Sequence, residues 1–185
     1  FAVFEVARGG ILREGLGYER NDVGVVLNVQ ADQLGLRGID TLEQLADVKA
    51  VIVEAVPRNG FAVLNADDPL ARAMRRRCSG RIVWFSMAEP GSEIRDSVDD
   101  HCRRGGRAVV LEHSDLGDMI VVKEGRRSMQ LAWTHLLPAT FGGRATMNVQ
   151  NAMAAAAAAF AAGASLHDIR QGLRTFSTNY YLAPG

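Results

Sequence analysis

The sequence predicts an α/β protein: a mostly parallel sheet flanked by helices, with a small antiparallel strand meander. Three observations predict it. Over residues 1–106, near-continuous apolar runs, the pattern of strands buried on both faces, alternate with amphipathic helical segments. Over 107–140 the runs shorten and are separated by Asp/Gly turns, as in hairpins. Residues 141–185 then hold a long alanine-rich helix and a shorter one as closing elements. At 185 residues and 48% hydrophobic, the chain can bury a sizeable core within one domain.

Each element has its own justification. Phe1–Val6 reads as a buried strand with Glu5 near its end, followed by the flexible Ala7-Arg8-Gly9-Gly10. Val23–Val29 is a second apolar run, and the polar loop 30–40 after it contains Asp32 and Gln33. Thr41 and Gln44 have the spacing of a capping box and open a helix that Pro57-Arg58-Asn59-Gly60 ends. Phe61–Asn65 is a strand, and Ala66-Asp67-Asp68-Pro69 leads into a helix reaching Arg77. A strand over Arg81–Met87 and a helix over Glu93–Arg104 complete the alternation that argues for crossover connections between parallel strands. Arg107–His113, Met119–Lys123 and Ser128–Leu131 read as the meander. Helices follow over Asn148–Ala162, stopped by Gly163, and over Leu166–Phe176, with Ser165 as N-cap and Asp168 at the third helical position.

Bulk properties exclude several functions. With zero formal charge and a pI of about 7.1, no global field favours nucleic acid or a membrane surface. Arg75-Arg76-Arg77 lies late in a short helix, where cations suit the dipole. No apolar run approaches the roughly 18 residues of a membrane span. Cys78 and Cys102 lack metal-ligand spacing and suit a reducing compartment, so a cytoplasmic location is expected. Neither a G-x-x-x-x-G-K-[ST] loop nor a G-x-G-x-x-G after a strand occurs, and no serine-centred nucleophile elbow is present. His101, His113, His135 and His167 are scattered and are assigned surface or helix-capping roles.

Lys49 stands out. Only it and Lys123 are lysines, and it falls inside the apolar stripe Leu42, Leu45, Ala46, Ile52, Val53 and Val56. An amine facing inward must snorkel, find a carboxylate, lose its proton or change chemically. Three polar sets lie at or past predicted strand ends: Glu5, Asp32 with Gln33, and Asn65 with Asp67 and Asp68. That edge of an open α/β sheet is where ligands bind, and carboxylates with an amide oxygen are hard ligands suited to Mg²⁺. Asp67 or Asp68 before Pro69 equally suits a helix cap. Asn148 and Asn151, three apart, share a helix face ahead of an alanine wall that admits a flat ligand or another helix. Asn148 as N-cap is the alternative.

Assembled in order, these residues resemble the Mur-ligase-type ATP-binding domain. The matching strings are Glu5–Leu12, Asp22–Leu36, Gly38–Ala55, Gly60–Leu70, Phe85-Ser86-Met87, Phe141-Gly142-Gly143 and Asn148–Ala152. Arg8-Gly9-Gly10-Ile11-Leu12 and Gly38-Ile39-Asp40-Thr41-Leu42-Glu43 favour the cyanophycin-synthesising branch. The resemblance implies a central domain of that type without its P-loop strand, truncated at both ends. The P-loop would precede Phe1; a ribose-contacting Arg and an amino-acid-binding domain would follow Gly185.

It also implies site roles. Glu5 matches a ligand of a second Mg²⁺, and Lys49 matches a lysine that is carbamylated in several such ligases and supports that metal. Asn148 and Asn151 match asparagines near the adenine; Asn65, Asp67 and Asp68 match a motif beside the nucleotide. Gln33 replaces the usual histidine metal ligand and is a weaker, neutral donor. The implied function is an ATP-dependent, ADP-forming carboxylate–amine ligase acting through an acyl phosphate, with ATP and Mg²⁺ as cofactors. Arginine and an aspartate-containing polymer would be its substrates, and the full-length protein a homo-oligomer. A chain of this extent is expected to be inactive alone. Another Mur-type ligase, of the folylpolyglutamate or peptidoglycan-precursor kind, and a catalytically inactive Mur-like binding domain are the alternatives.

Overall fold

A computed structural model describes residues 1–177 except Asp32, Gln33, Leu36 and Arg37. Six strands form one sheet in the order β1 (Val23–Val26), β2 (Phe61–Asn65), β3 (Arg81–Ser86), β4 (Arg107–Ser114), β5 (Gly117–Glu124) and β6 (Arg127–Trp133). β1 to β4 pair in parallel, whereas β4–β5 and β5–β6 pair antiparallel. The predicted mixed α/β class holds, and the meander continues the parallel sheet through β4.

Strand order explains the layers. Because β1 to β4 follow one another in sequence order, successive crossovers of one hand all fall on the same face. There α2 (Leu42–Glu54), α3 (Pro69–Ala73) and α4 (Glu93–Arg103) place Leu45, Val53, Ala71, Val98 and Cys102 against Ala62, Leu64, Trp84, Ala108 and Val110. The alternate strand residues Val63, Val83, Phe85 and Val109 point the other way. α5 (Thr146–Ala161) and α6 (Leu166–Thr175) cover that second face, α5 through Ala152, Ala154, Ala156, Ala157 and Ala161. A two-residue alternation thus serves both cores, and every residue of β2 is buried.

Local signals act where expected. At α2 the Thr41 hydroxyl accepts from Gln44 N at 3.2 Å while Gln44 Oε1 accepts from Thr41 N at 3.1 Å, a complete capping box. Ser165 caps α6 in the same manner. At the N-terminal ends of the strands, glycines let backbones meet. A Cβ on Gly80 would lie 2.6 Å from Pro57 O and 2.8 Å from Gly60 O.

Three expectations need correction. Phe1–Val6 is not a strand: among the described residues it joins no sheet, and Phe1, Val3 and Phe4 are exposed. A strand exists only by virtue of a neighbour's backbone, so apolar content alone could not secure it. Ala7-Arg8-Gly9-Gly10, expected to be flexible, instead opens a helix, α1 (Arg8–Glu14), with Ala7 at the N-cap position. His101, expected in a surface or helix-capping role, is instead half-buried, edge-on to Trp84 with ring centroids 6.2 Å apart and a ring nitrogen 3.2 Å from Ile82 O. Among the described residues no helix is long and apolar enough to cross a membrane.

Candidate functional site

The C-terminal ends of β1 and β2 open onto a cavity of about 470 Å³. Asn28, Gln30, Asn65, Asp67, Asp68 and Gln150 are its principal polar lining, with Leu42, Pro69 and Leu70 as apolar wall. It lies at the strand edge where open α/β sheets bind ligands, and its size falls within the usual range for small-molecule sites, roughly 300–1,000 Å³.

Local hydrogen bonds build this edge. Asp68 is the N-cap of α3: its Oδ1 accepts from Leu70 N and Ala71 N, each at 2.9 Å. Its Oδ2 accepts from Val29 N at 2.7 Å, so one carboxylate ties the segment after β1 to the start of α3. Asp67 clasps the next strand, accepting from Ser86 Oγ at 2.5 Å and Met87 N at 2.7 Å. Asn65 is buried, and its Oδ1 accepts from Asp67 N at 2.9 Å. Each bond to a carboxylate is charge-assisted, so the edge is rigid.

Lys49 reaches this edge from α2. It is half-buried, and its Nζ donates to the carbonyl of Asn28 at 2.9 Å, just past β1. The apolar stripe carries the stem inward, and the carbonyl meets the charge.

The other predicted site residues are placed less uniformly. Glu5 is exposed in the segment before α1 and does not line the cavity. Asn148 is the third residue of α5, not its cap; Ala145 holds the cap position without a side-chain bond. Asn148 Nδ2 instead donates to Ala139 O at 2.6 Å, pinning the turn Pro138–Thr140 onto α5. Asn151 is exposed. Asp32 and Gln33 lie outside the described residues.

Sequence reasoning missed Asn28, Gln30 and Gln150 as cavity residues. Asn28 is the one polar residue within the apolar run Val23–Val29, a signal that was readable. Gln150 sits inside the Asn148–Ala152 string, but which of its side chains faces the sheet edge depends on how α5 docks.

Among the described residues no group of three or more His, Cys, Asp or Glu converges to hold a metal. Both cavity carboxylates already accept protein donors. The described residues therefore do not by themselves fit a protein-held magnesium ion.

A second cavity of about 370 Å³ is lined by Arg75, Ile82, Trp84, Ser97, Asp100 and His101, with Arg104 beside them. Burial lowers the pKa of His101, and the nearby Arg75 charge lowers it further. Cys102 is buried, and desolvation pushes its thiol up to about 11, the behaviour of an inert structural thiol.

The Mur ligase middle domain family matches residues 1–159. Over 184 residues the chain is 47% identical to the cyanophycin synthetases of Crocosphaera subtropica and Synechocystis sp., which covers all of this chain and 20% of each relative. It is 33% identical over 157 residues to the UDP-N-acetylmuramoylalanine–D-glutamate ligase of Desulfitobacterium hafniense, covering 85% of the chain and 29% of that relative. The chain thus spans about a fifth of the length of the cyanophycin synthetases it matches. Among solved structures, MurF from Acinetobacter baumannii aligns with a TM-score of 0.53 at 23% identity, covering 84% of this chain and 29% of that one, a likeness of fold. The chain belongs to the Mur ligase middle-domain family.

Proposed function

We propose that this chain forms part of an ATP-dependent, amide-forming ligase that adds arginine to aspartate side chains of a polymer, as in cyanophycin synthesis. The observation that carries the proposal is the 47% identity running through the whole chain to cyanophycin synthetases. The polar cavity at the strand edge, with a lysine turned toward it, supports a nucleotide-handling role.

In this reaction a substrate carboxylate attacks the γ-phosphorus of ATP, giving an acyl phosphate and ADP. The amine then attacks the acyl carbon and releases phosphate. Both steps need close approach of anions, so the protein's work is positioning and charge neutralisation. Lys49 is held at this edge by the Asn28 carbonyl and, as the resemblance implies, acts with the metal. Asp67 and Asp68 act indirectly, by fixing the backbone after β1, β2 and β3. Asn148 and Asn151 are assigned to the adenine side, and Glu5 and Gln33 to the metal side. Magnesium, brought with ATP, would neutralise phosphate charge during the transfer. ATP consumption suits a cytoplasmic setting.

The test uses the full-length protein with ATP, arginine and an aspartate polymer. ADP release should require all three, and the polymer should gain arginine. Release without arginine incorporation refutes the substrate assignment, and absence of ADP release refutes the ligase reading. Lys49→Met should lower turnover by about 10²-fold or more, the usual loss of one charge-stabilising donor, with the melting temperature little changed.

A further inference from the structure

Two partly or fully buried arginines differ in what they touch. Arg95 is 2% exposed, and its guanidinium is committed throughout: Nε lies 3.3 Å from Asp99, Nη1 donates to Leu111 O at 2.9 Å and Nη2 lies 3.4 Å from Glu112. Arg95 is structural. Arg8 is half-buried, and its Nη1 is sealed from solvent with no hydrogen-bond partner among the described residues.

Arg8 opens α1, which packs against α2, the helix that carries Lys49 to the strand edge. Arginine keeps its proton at any working pH, so this donor stays charged. A buried, charged N–H without an acceptor is unfavourable unless a ligand supplies one. The neighbouring Gly9 and Gly10 leave open space, with no atom within 4 Å of where a Cβ would stand. The planar guanidinium fork fits carboxylate and phosphate oxygens, often in pairs.

We propose that Arg8, on the helix packed against α2, is a substrate-binding residue that holds an oxyanion, either a phosphate of the nucleotide or a carboxylate of the polymer. This rests on the ligase reading above and names a further residue of the same site. The two sources share one chemistry, and the experiment separates them.

In full-length protein, Arg8→Ala and Arg8→Lys are compared with wild type while ATP, polymer and arginine are varied in turn. Arg8→Ala should raise KM for ATP or for the polymer by about tenfold or more, the usual loss of one charge-assisted pair. The rise identifies the anion, and Arg8→Lys should recover part of it. A binding readout independent of turnover accompanies this: the rise in melting temperature caused by ADP and, separately, by poly-aspartate. One of these should stabilise wild type and fail to stabilise Arg8→Ala. Constants unchanged in all substrates, or a rise confined to arginine, overturn the proposal. So do equal thermal shifts in wild type and variant. An inactive wild type refutes the ligase reading alone, and the thermal shifts then decide on Arg8.

Discussion

The two ends of the parallel strands are finished in opposite ways. At the N-terminal end, glycines remove side chains so that backbones touch: a Cβ on Gly24 would lie 2.9 Å from Ile52 O, and one on Gly80 2.6 Å from Pro57 O. At the C-terminal end, Asn65, Asp67 and Asp68 supply side chains that bridge backbones and leave a cavity of about 470 Å³ between them. One end is closed by close packing, the other held apart by hydrogen bonds. The larger of the two cavities lies where polar struts replace van der Waals contact.

Substitutions can break this contrast. The largest stability loss is expected for Gly80→Val, which drives carbon into Pro57 O, Val56 and Gly60 O; overpacking of this kind costs about 3 kcal/mol. A chemical-denaturation midpoint measures it, and an unchanged midpoint would show that the end is not tightly packed. Asp68→Ala should cost about 2 kcal/mol, because α3 loses its cap and Val29 N–H loses its acceptor. Hydrogen exchange should show faster exchange at Val29, Leu70 and Ala71, with Arg81–Ser86 unaffected. Protection unchanged at Val29 would remove Asp68 as a strut.

The smallest effect is a pH dependence at the closed end. His101 has its pKa lowered from 6.5 in the fold by burial and by Arg75, so the unfolded chain takes up its proton first. Its contribution is complete above about pH 6.5 and declines as pH falls from there toward the lowered folded value. His101→Gln should flatten the stability profile over that range. An equally steep profile in the variant would assign the acid sensitivity elsewhere.

Much of the frame was legible because local chemistry settles it. Phe61–Asn65 is a strand with the predicted bounds, and Thr41 with Gln44 forms the capping box their spacing promised. Asp68 before Pro69 is the helix cap that the residue pair suggested. What failed depended on distant partners. Phe1–Val6 had a strand's composition but is paired with no neighbour. Asn148 suited a ligand-facing role or, as the alternative, a helix cap, yet the chain at residues 138–140 folds back and claims its amide. At the site, Lys49 could be read as inward-facing from its apolar stripe, but the Asn28 carbonyl that receives it lies 21 residues away. Arg8 stood in a matching string but was given no role, since an unmatched donor is visible only once its surroundings are known.

The alanine content of α5 limits how the site can move. Alanine has no side-chain torsion to rearrange, so a rod seated on β1 to β4 largely through methyl groups has few ways to repack in place. Displacement at its first turns, where Asn148 grips Ala139 and Gln150 faces the cavity, would be carried along the whole rod as a tilt or a slide.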